Sequence, residues 1–384
     1  MTSVAIALVL SKQNHEPESS NIDGQNTATQ TNPDELVYDG NTPVYVTIYS
    51  HNEDSWDTKV NTKEKYTEYR QELLNRVNLL ADYGIEWDWQ SDQPVVQAMV
   101  DYEDDAVLKS QTNGKNILAY MRDLGVSIDP HAHTNNYADI VYLIEQLGVD
   151  ASHVIGGLKF IECGNEFMGF LNFLSWHDDI HLQSDGYIYG EDFSQAKWKP
   201  EILSVPGMGG HWFDEFNSGV WRPGDGDDFF TDQGAGNIIY VGKGYPHDTT
   251  IIGQTQASGA QVYSSNGQYI KELVDMIKDG ELPTGTVDGD KYMYTASLHV
   301  RDTDIVDESK GDETVTLDGL KSVLDELKPY QERGEIIFVT YEQVVDIWQN
   351  EYNSVPWSID LSKFKFYKHV IDQAESYCSR PRVR

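Results

Sequence analysis

The chain has 384 residues, of which 63 are acidic and 28 are basic, giving a formal net charge of -35 at pH 7. This excess of negative charge opposes binding to nucleic acids and to anionic membrane surfaces, so neither is an expected partner. The length is sufficient for a large hydrophobic core, while the two cysteines, Cys163 and Cys378, are too few for a disulfide scaffold and lack the paired spacing of a zinc ribbon.

Residues 1–41 are predicted to form a disordered N-terminal tail, because the stretch after Leu10 is polar and lacks an apolar period. The apolar run VAIALVL at 4–10 is far shorter than the ~20 residues that span a bilayer, so no transmembrane segment is predicted. This run and the polar stretch after it are compatible with the remnant of an export signal, which favours a secreted, periplasmic or extracellular location. The rest of the chain, 42–384, is expected to fold as one domain.

A recurring unit begins at residue 44: a short β-rich run, an amphipathic helix closed by glycine, and a further β-rich run. In the helix predicted over 63–83, Tyr66, Leu73 and Val77 lie on one face, and Gly84 can end the helix in the left-handed conformation. Three such units in succession imply right-handed crossovers and a parallel sheet. We predict an α/β fold, a distorted seven-stranded (β/α) barrel, with strands at 44–50, 85–89, 127–131, 153–157, 218–222, 292–299 and 336–341.

Residues 158–217 interrupt this rhythm with aromatic, Gly-rich and acidic sequence. We predict a long loop insertion there, at the C-terminal end of a strand, where such loops build substrate surfaces. The run NIIYVG at 237–242 is predicted to be an accessory hairpin strand within an insertion. His177 and His181 have the four-residue spacing of helical metal ligands, but their acidic surroundings favour a solvated loop.

Polar residues accumulate where the predicted strands end, which is the edge of a parallel barrel that carries active sites. The first strand is followed by His51 and Glu53, and the third by His131 and His133. Residues two apart on an extended chain point the same way, so His131 and His133 could share one cation. His51 and a carboxylate from the first strand would complete a ligand set typical of zinc or a related metal. The alternative is a solvated turn after the first strand and a hydrogen-bonded histidine pair.

Several sequence runs, in this order along residues 44–348, resemble the motifs of the polysaccharide deacetylase family, carbohydrate esterases with a distorted seven-stranded barrel. They are Glu53-Asp54 after the first strand, DPHAH at 129–133, VWRPG at 220–224, SLHV at 297–300 and FVTYEQVVDIW at 338–348.

The resemblance implies a metal-dependent hydrolase that deacetylates an acetylated sugar or polysaccharide by means of a metal-activated water. It makes Glu53 the general base, His299 the general acid and Arg222 the residue that orients the base. The implied cofactor is a divalent metal, with zinc expected. The resemblance implies Asp54, His131 and His133 as ligands, and His51 joins them from its place at the end of the first strand. A further partial resemblance, of HNEDSW to a stretch of the class II α-mannosidases, would instead make His51 and Glu53 ligands.

A carbohydrate partner would need aromatic faces that stack on sugar rings, so we predict substrate contacts from the polar and aromatic ends of the second and fifth strands. The alternatives are a glycoside hydrolase or lyase of the same barrel type and a non-catalytic carbohydrate-binding barrel. The hydrolase would need two flanking carboxylates, Glu53 or Asp54 with Asp88 or Asp92. The predicted substrate-binding residues are Trp87, Trp89, Asp92 and Trp221.

Overall fold

The structure is a computed structural model that describes residues 42–53, 60–132, 137–158, 198–206, 217–223, 232–234, 236, 238–244, 267–282, 286–287, 290–300 and 317–360. The predicted tail, both cysteines, and His177 and His181 lie outside the described residues. Among the helices that are described, none has the length and apolar character needed to cross a membrane.

The described elements alternate between strands and helices over most of the chain. The strands are β1 (Val44–Asn52), β2 (Asp88–Ser91), β3 (Ser127–Pro130), β4 (Val154–Leu158), β5 (Ile202–Pro206), β6 (Asn217–Trp221), β7 (Ile239–Val241), β8 (Thr286–Val287), β9 (Asp290–Lys291), β10 (Tyr294–His299), β11 (Ile336–Phe338) and β12 (Trp357–Asp360). The helices are α1 (Lys63–Asp82), α2 (Gln93–Tyr102), α3 (Ala106–Ser110), α4 (Ile117–Asp123), α5 (Tyr137–Gln146), α6 (Gln268–Lys278), α7 (Leu317–Glu332) and α8 (Tyr341–Glu351).

The first helix shows why the local sequence folds as it does. Thr62 is the N-cap of α1, and its hydroxyl accepts a hydrogen bond from the backbone N–H of Lys65. Beyond the other end, Gly84 has a φ of 66°, which a residue with a side chain rarely adopts. The apolar face predicted for this helix is buried, as Tyr66, Leu73 and Val77 are at most 1% exposed. The helix is therefore capped at both ends and buries one face in the hydrophobic cluster that it shares with β1.

The first sheet contains β1, β2, β3, β10 and β11, and all of its strand pairs are parallel. β1 pairs with three strands: β10 along most of its length, β11 at its first three residues and β2 at its last four. Parallel pairing brings the carboxyl ends of β1, β2, β3 and β10 to one edge of the sheet.

The second sheet has the strand order β12-β6-β7-β5-β4. β4, β5 and β7 are parallel to one another, whereas β6 is antiparallel to both of its neighbours, β7 and β12. A parallel bridge between His131 and Gly156 joins the end of β3 to β4. On the other side, Gly219 in β6 donates its backbone N–H to Thr295 Oγ1 in β10 at 2.8 Å. The two sheets therefore lie side by side.

Alternation along β1 divides the buried side chains into two sets. Val44, Val46 and Ile48 join the large hydrophobic cluster that also contains the buried faces of α1 and α2. Tyr45 and Tyr49 join a smaller cluster on the opposite face, together with Tyr341, Val344 and Trp348 of α8. We call this second face the inner face.

The predicted α/β class with a parallel sheet and flanking helices is confirmed. A closed barrel of seven parallel strands is not, because the described strands form separate sheets without a continuous ring of backbone pairing. β6 was expected in the parallel set but is antiparallel to its neighbours. β7 was expected as an accessory hairpin strand; it does pair antiparallel with the preceding strand β6, and it also pairs parallel with β5 in the second sheet. β5 itself lies within the region expected to be a loop insertion. Short buried strands carry little local information about their direction, since burial on both faces removes the alternation that would reveal it.

Candidate metal centre

Three potential metal ligands meet at the carboxyl ends of β1 and β3. One ligand atom from each of His51, Glu53 and His131 can be chosen so that all three lie within 4.8 Å of one another. His131 Nε2 is 2.9 Å from Glu53 Oε1, and the imidazole rings of His51 and His131 have centroids 4.2 Å apart. The grouping follows from the fold, because parallel strands bring residues just past their carboxyl ends to the same edge.

The chemistry of this group fits a divalent cation. His131 is fully buried, His51 is 6% exposed, and the Glu53 side chain keeps 16% of its surface accessible. Two imidazoles and one carboxylate form the kind of three-residue set that catalytic zinc uses, with a further position left for water or substrate. The three side chains could therefore hold a metal ion at the carboxyl edge of the sheet, where the Glu53 side chain is partly accessible to solvent.

His299 lies next to this group. It is the last residue of β10 and pairs in register with Tyr49 of β1, whose ring stacks on the imidazole at a centroid distance of 4.8 Å. The His299 ring is 4.9 Å from that of His51 and is 5% exposed. This imidazole is thus fixed by stacking beside the three potential ligands, where it could exchange protons with a bound molecule.

The inner face next to the histidines is polar. Asp129 accepts hydrogen bonds from the hydroxyls of Ser127 and Ser152, both at 2.6 Å, and from Gln90 Nε2 at 3.3 Å. Burial raises the pKa of the Asp129 carboxyl to about 7. Burial and then the charge of Asp129 raise the pKa of Asp88 well above its usual range.

Gln90 and Asp129 were not among the predicted site residues, although a signal was present. Gln90 pairs in register with His51, and Asp129 stands two positions before His131, so each belongs to the row of residues that leads to a ligand. Gln90 could have been identified as the partner of His51 on the neighbouring strand, and Asp129 as the residue on the same face two positions before His131.

The structure does not bring the predicted substrate-binding residues of the second strand to the cluster. Trp87 and Trp89 are fully buried in the large hydrophobic cluster, on the face that packs against the helices. Asp92 is 4% exposed and caps α2, because its side chain accepts from the backbone N–H of Val95. These positions therefore support the fold around the site.

Arg222 and Trp221 lie at the opposite edge, because β6 runs antiparallel to the strands that carry the histidines. The guanidinium of Arg222 lies over the ring of Trp348 at 4.8 Å from its centroid. Trp221 is 1% exposed and packs on Tyr240 with centroids 4.7 Å apart. Neither is brought to Glu53, and the predicted ligands Asp54 and His133 lie outside the described residues.

No protein-family model matches the chain, and no curated protein sequence matches it. Among solved structures, a probable polysaccharide deacetylase from Pseudomonas aeruginosa is similar with a TM-score of 0.44 at 11% identity, over 84% of this chain and 96% of the other. The allantoinase PuuE is similar with a TM-score of 0.42 at 10% identity, over 86% and 98%. A 4-alpha-glucanotransferase from Thermococcus litoralis is similar with a TM-score of 0.39 at 9% identity, over 80% and 40%. At these TM-scores the likenesses carry no argument about chemistry.

Proposed function

We propose that this protein is a metal-dependent hydrolase that removes acetyl groups from a carbohydrate. The observation that carries the proposal is the His51, Glu53 and His131 group, whose ligand atoms lie within 4.8 Å of one another at the carboxyl edge of a parallel sheet. The order of the deacetylase-like motifs along the sequence supports the choice of an acetylated sugar as substrate.

His51, Glu53 and His131 would hold the ion, and zinc is compatible with their nitrogen and oxygen donor atoms. When bound, such an ion polarises an acyl carbonyl and lowers the pKa of a bound water toward ~7. In this assignment Glu53 is a ligand, as the mannosidase-like resemblance implies, because its Oε1 is already 2.9 Å from His131 Nε2. Asp54 and His133 remain predicted metal ligands.

His299 would supply the proton that the leaving amine or alkoxide needs. An imidazole can hold and release a proton near neutral pH, and this one is held by stacking on Tyr49 beside His51. The burial of the histidines limits the access of bulk water to the site, which strengthens the electrostatic interactions within it. The described residues thus provide a place for the ion and a neighbouring proton donor.

Metal content and product release test this proposal together. The purified protein, its His131→Ala and His51→Ala variants and a His153→Ala control would be analysed for zinc by mass spectrometry. His153 is a suitable control because it precedes β4 and its ring stacks on Trp198, with centroids 6.2 Å apart, rather than on the cluster. Acetate and reducing ends released from acetylated oligosaccharides would be measured before and after chelation.

We expect one zinc ion per chain in the wild type and in the His153→Ala control, and a loss of zinc in the other two variants. Acetate release should stop after chelation and return when zinc is added. Absence of zinc from the wild type, or unchanged zinc in a folded His131→Ala variant, would overturn the metal site. Reducing ends without acetate would replace deacetylation with glycoside hydrolysis.

A further inference from the structure

Gln90 lies on the inner face beside the candidate metal centre. It is fully buried in β2 and pairs in register with His51 of β1 on one side and with Asp129 of β3 on the other. An amide in such a position must satisfy both of its ends with hydrogen bonds or lose free energy on burial. The partners of its two ends therefore indicate what it does.

The nitrogen end of this amide is fixed by two acceptors. Gln90 Nε2 donates to Ser204 Oγ at 2.7 Å and to Asp129 Oδ2 at 3.3 Å. These bonds determine which end of the amide carries the NH2 group, so Oε1 must point to the other side. There, Gln90 Oε1 is buried and accepts no hydrogen bond from any residue that the structure describes.

Gly156 shows what Oε1 faces. A Cβ atom built on Gly156 would lie 2.0 Å from Gln90 Oε1 and 3.2 Å from His131 Nδ1, so these two atoms border the same small space. The backbone of Gly156 is held in place, since it bridges to His131 and its carbonyl accepts from the Tyr137 hydroxyl at 2.9 Å. Only glycine leaves this space open between the amide oxygen and the imidazole.

We propose that Gln90 is a positioning residue for His131: Oε1, which accepts no hydrogen bond within the described residues, would accept from the Nδ1–H of the imidazole when Nε2 binds a metal. A histidine that binds a metal through Nε2 carries its proton on Nδ1, and an acceptor for that proton fixes the ring and its tautomer. His131 directs Nε2 toward Glu53 and Nδ1 toward Gly156 and Gln90, which is the orientation this role requires. The inference rests on the proposed role of His131 as a metal ligand.

The test measures zinc affinity and the imidazole proton rather than activity. Wild type, Gln90→Leu and Gln90→Met would be titrated with zinc against a competing chelator, with Ser297→Ala as a control that removes a different hydrogen bond of the inner face. Loss of the acceptor should weaken zinc binding by about 10- to 100-fold, the range found for partners of metal-bound histidines. In 1H–15N spectra of the zinc-loaded protein, the His131 Nδ1–H should be protected from exchange in the wild type and exposed to it in both Gln90 variants.

Gly156→Ala tests the same contact from the other side, because its Cβ would displace Oε1. It should also weaken zinc binding, whereas Ser297→Ala should leave the affinity within about threefold of wild type. If a folded Gln90→Leu or Gln90→Met variant keeps both the wild-type affinity and a protected Nδ1–H, the positioning role is wrong while the metal site stands. If the wild type binds no zinc, the proposed function itself fails.

Discussion

Two buried polar regions of this molecule, one among the helices and one on the inner face, differ in how the free-energy cost of burying charged groups is compensated. Among the helices, the Arg70 and Glu103 side chains are each 1% exposed and form an ion pair, with Nε and Oε1 2.5 Å apart. Glu103 also accepts from the Tyr66 hydroxyl at 2.5 Å and from the backbone N–H of Ile117 at 2.8 Å. Opposite charges and several hydrogen bonds thus compensate the burial.

The inner face places carboxyls near one another instead. Asp88 is fully buried, and the charge of Asp129 adds to the effect of burial in raising its pKa. Asp88 Oδ1 accepts from the backbone N–H of Tyr341 at 3.1 Å, but Oδ2 is buried without a hydrogen bond from the described residues. Such an arrangement does not favour stability, and groups of this kind with perturbed pKa values cluster at functional sites. An opposite charge therefore compensates the buried carboxylate among the helices, whereas the inner face keeps two neighbouring carboxyls whose pKa values are raised.

The largest effect should come from breaking the helical ion pair. Glu103→Ala leaves the guanidinium of Arg70 buried without its carboxylate, so we expect a loss of about 3–5 kcal/mol in the free energy of unfolding. Urea denaturation followed by circular dichroism measures this free energy. Glu68→Ala is the control, because Glu68 is exposed on α1, the helix that carries Arg70. The control should change stability by less than about 0.5 kcal/mol. A loss below about 1 kcal/mol for Glu103→Ala would show that the pair is not the stabilising feature inferred here.

The next largest effect should come from replacing His51, which we propose as a metal ligand. Zinc at 100 times its dissociation constant should stabilise the wild type by about 2.7 kcal/mol, because it binds only the folded state. His51→Leu should lose this gain while its metal-free stability stays near that of the wild type, since a buried polar group is replaced by an apolar one. Thermal unfolding with and without zinc measures both quantities. A zinc-dependent shift that survives in His51→Leu would exclude His51 as a ligand.

The sequence predicted the parts of this site that depend on strand ends. His51, Glu53 and His131 each follow a short apolar run, and the parallel topology alone brings such positions together. The α/β class also follows from the alternation of apolar strands with helices such as α1, whose buried face and glycine end are both visible in the sequence. These features depend on local pattern and on one general rule of topology.

The remaining features depend on which face of a strand points inward. In the run Trp87-Asp88-Trp89-Gln90, aromatic and polar residues alternate, and the pattern is equally compatible with either face. Here the polar residues lie on the inner face and the tryptophans pack against the helices, so the tryptophans do not reach the site. The direction of β6, which carries Arg222 to the opposite edge, is decided by its pairing with β7 and β12 and not by its own residues.

A smaller effect is expected from the pH dependence of the inner face. A carboxyl whose pKa is higher in the folded than in the unfolded state keeps its proton on folding, so stability falls as the pH rises from about 4 toward the folded pKa. The pKa of Asp129 is about 7 and that of Asp88 is also raised, so the wild type should lose stability across this window. Asp88→Asn should flatten the decline and be more stable than wild type at pH 8 by about 1 kcal/mol.

Urea denaturation at half-unit intervals from pH 5 to pH 8 measures this dependence, and Asp325→Asn provides the contrast. The hydrogen bond from Lys321 lowers the pKa of the exposed Asp325, so its removal should not flatten the decline. Equal slopes for wild type and Asp88→Asn would mean that the carboxyl pair is not the source of the dependence.

An effect of similar size should come from the neutral hydrogen bonds of the inner face. Ser297 Oγ is 2.8 Å from Thr47 Oγ1 and 3.2 Å from the Tyr341 hydroxyl, and all three groups are buried. Ser297→Ala should cost about 1 kcal/mol, because two buried hydroxyls lose a partner but no charge is left uncompensated. Replacing both partners, in Ser297→Ala with Thr47→Val, should cost less than the sum of the single changes, since the second substitution removes a group already left without this bond. If the two changes add strictly in urea denaturation, the hydroxyls of Thr47 and Ser297 do not stabilise each other, and the hydrogen bond between them contributes no coupling energy.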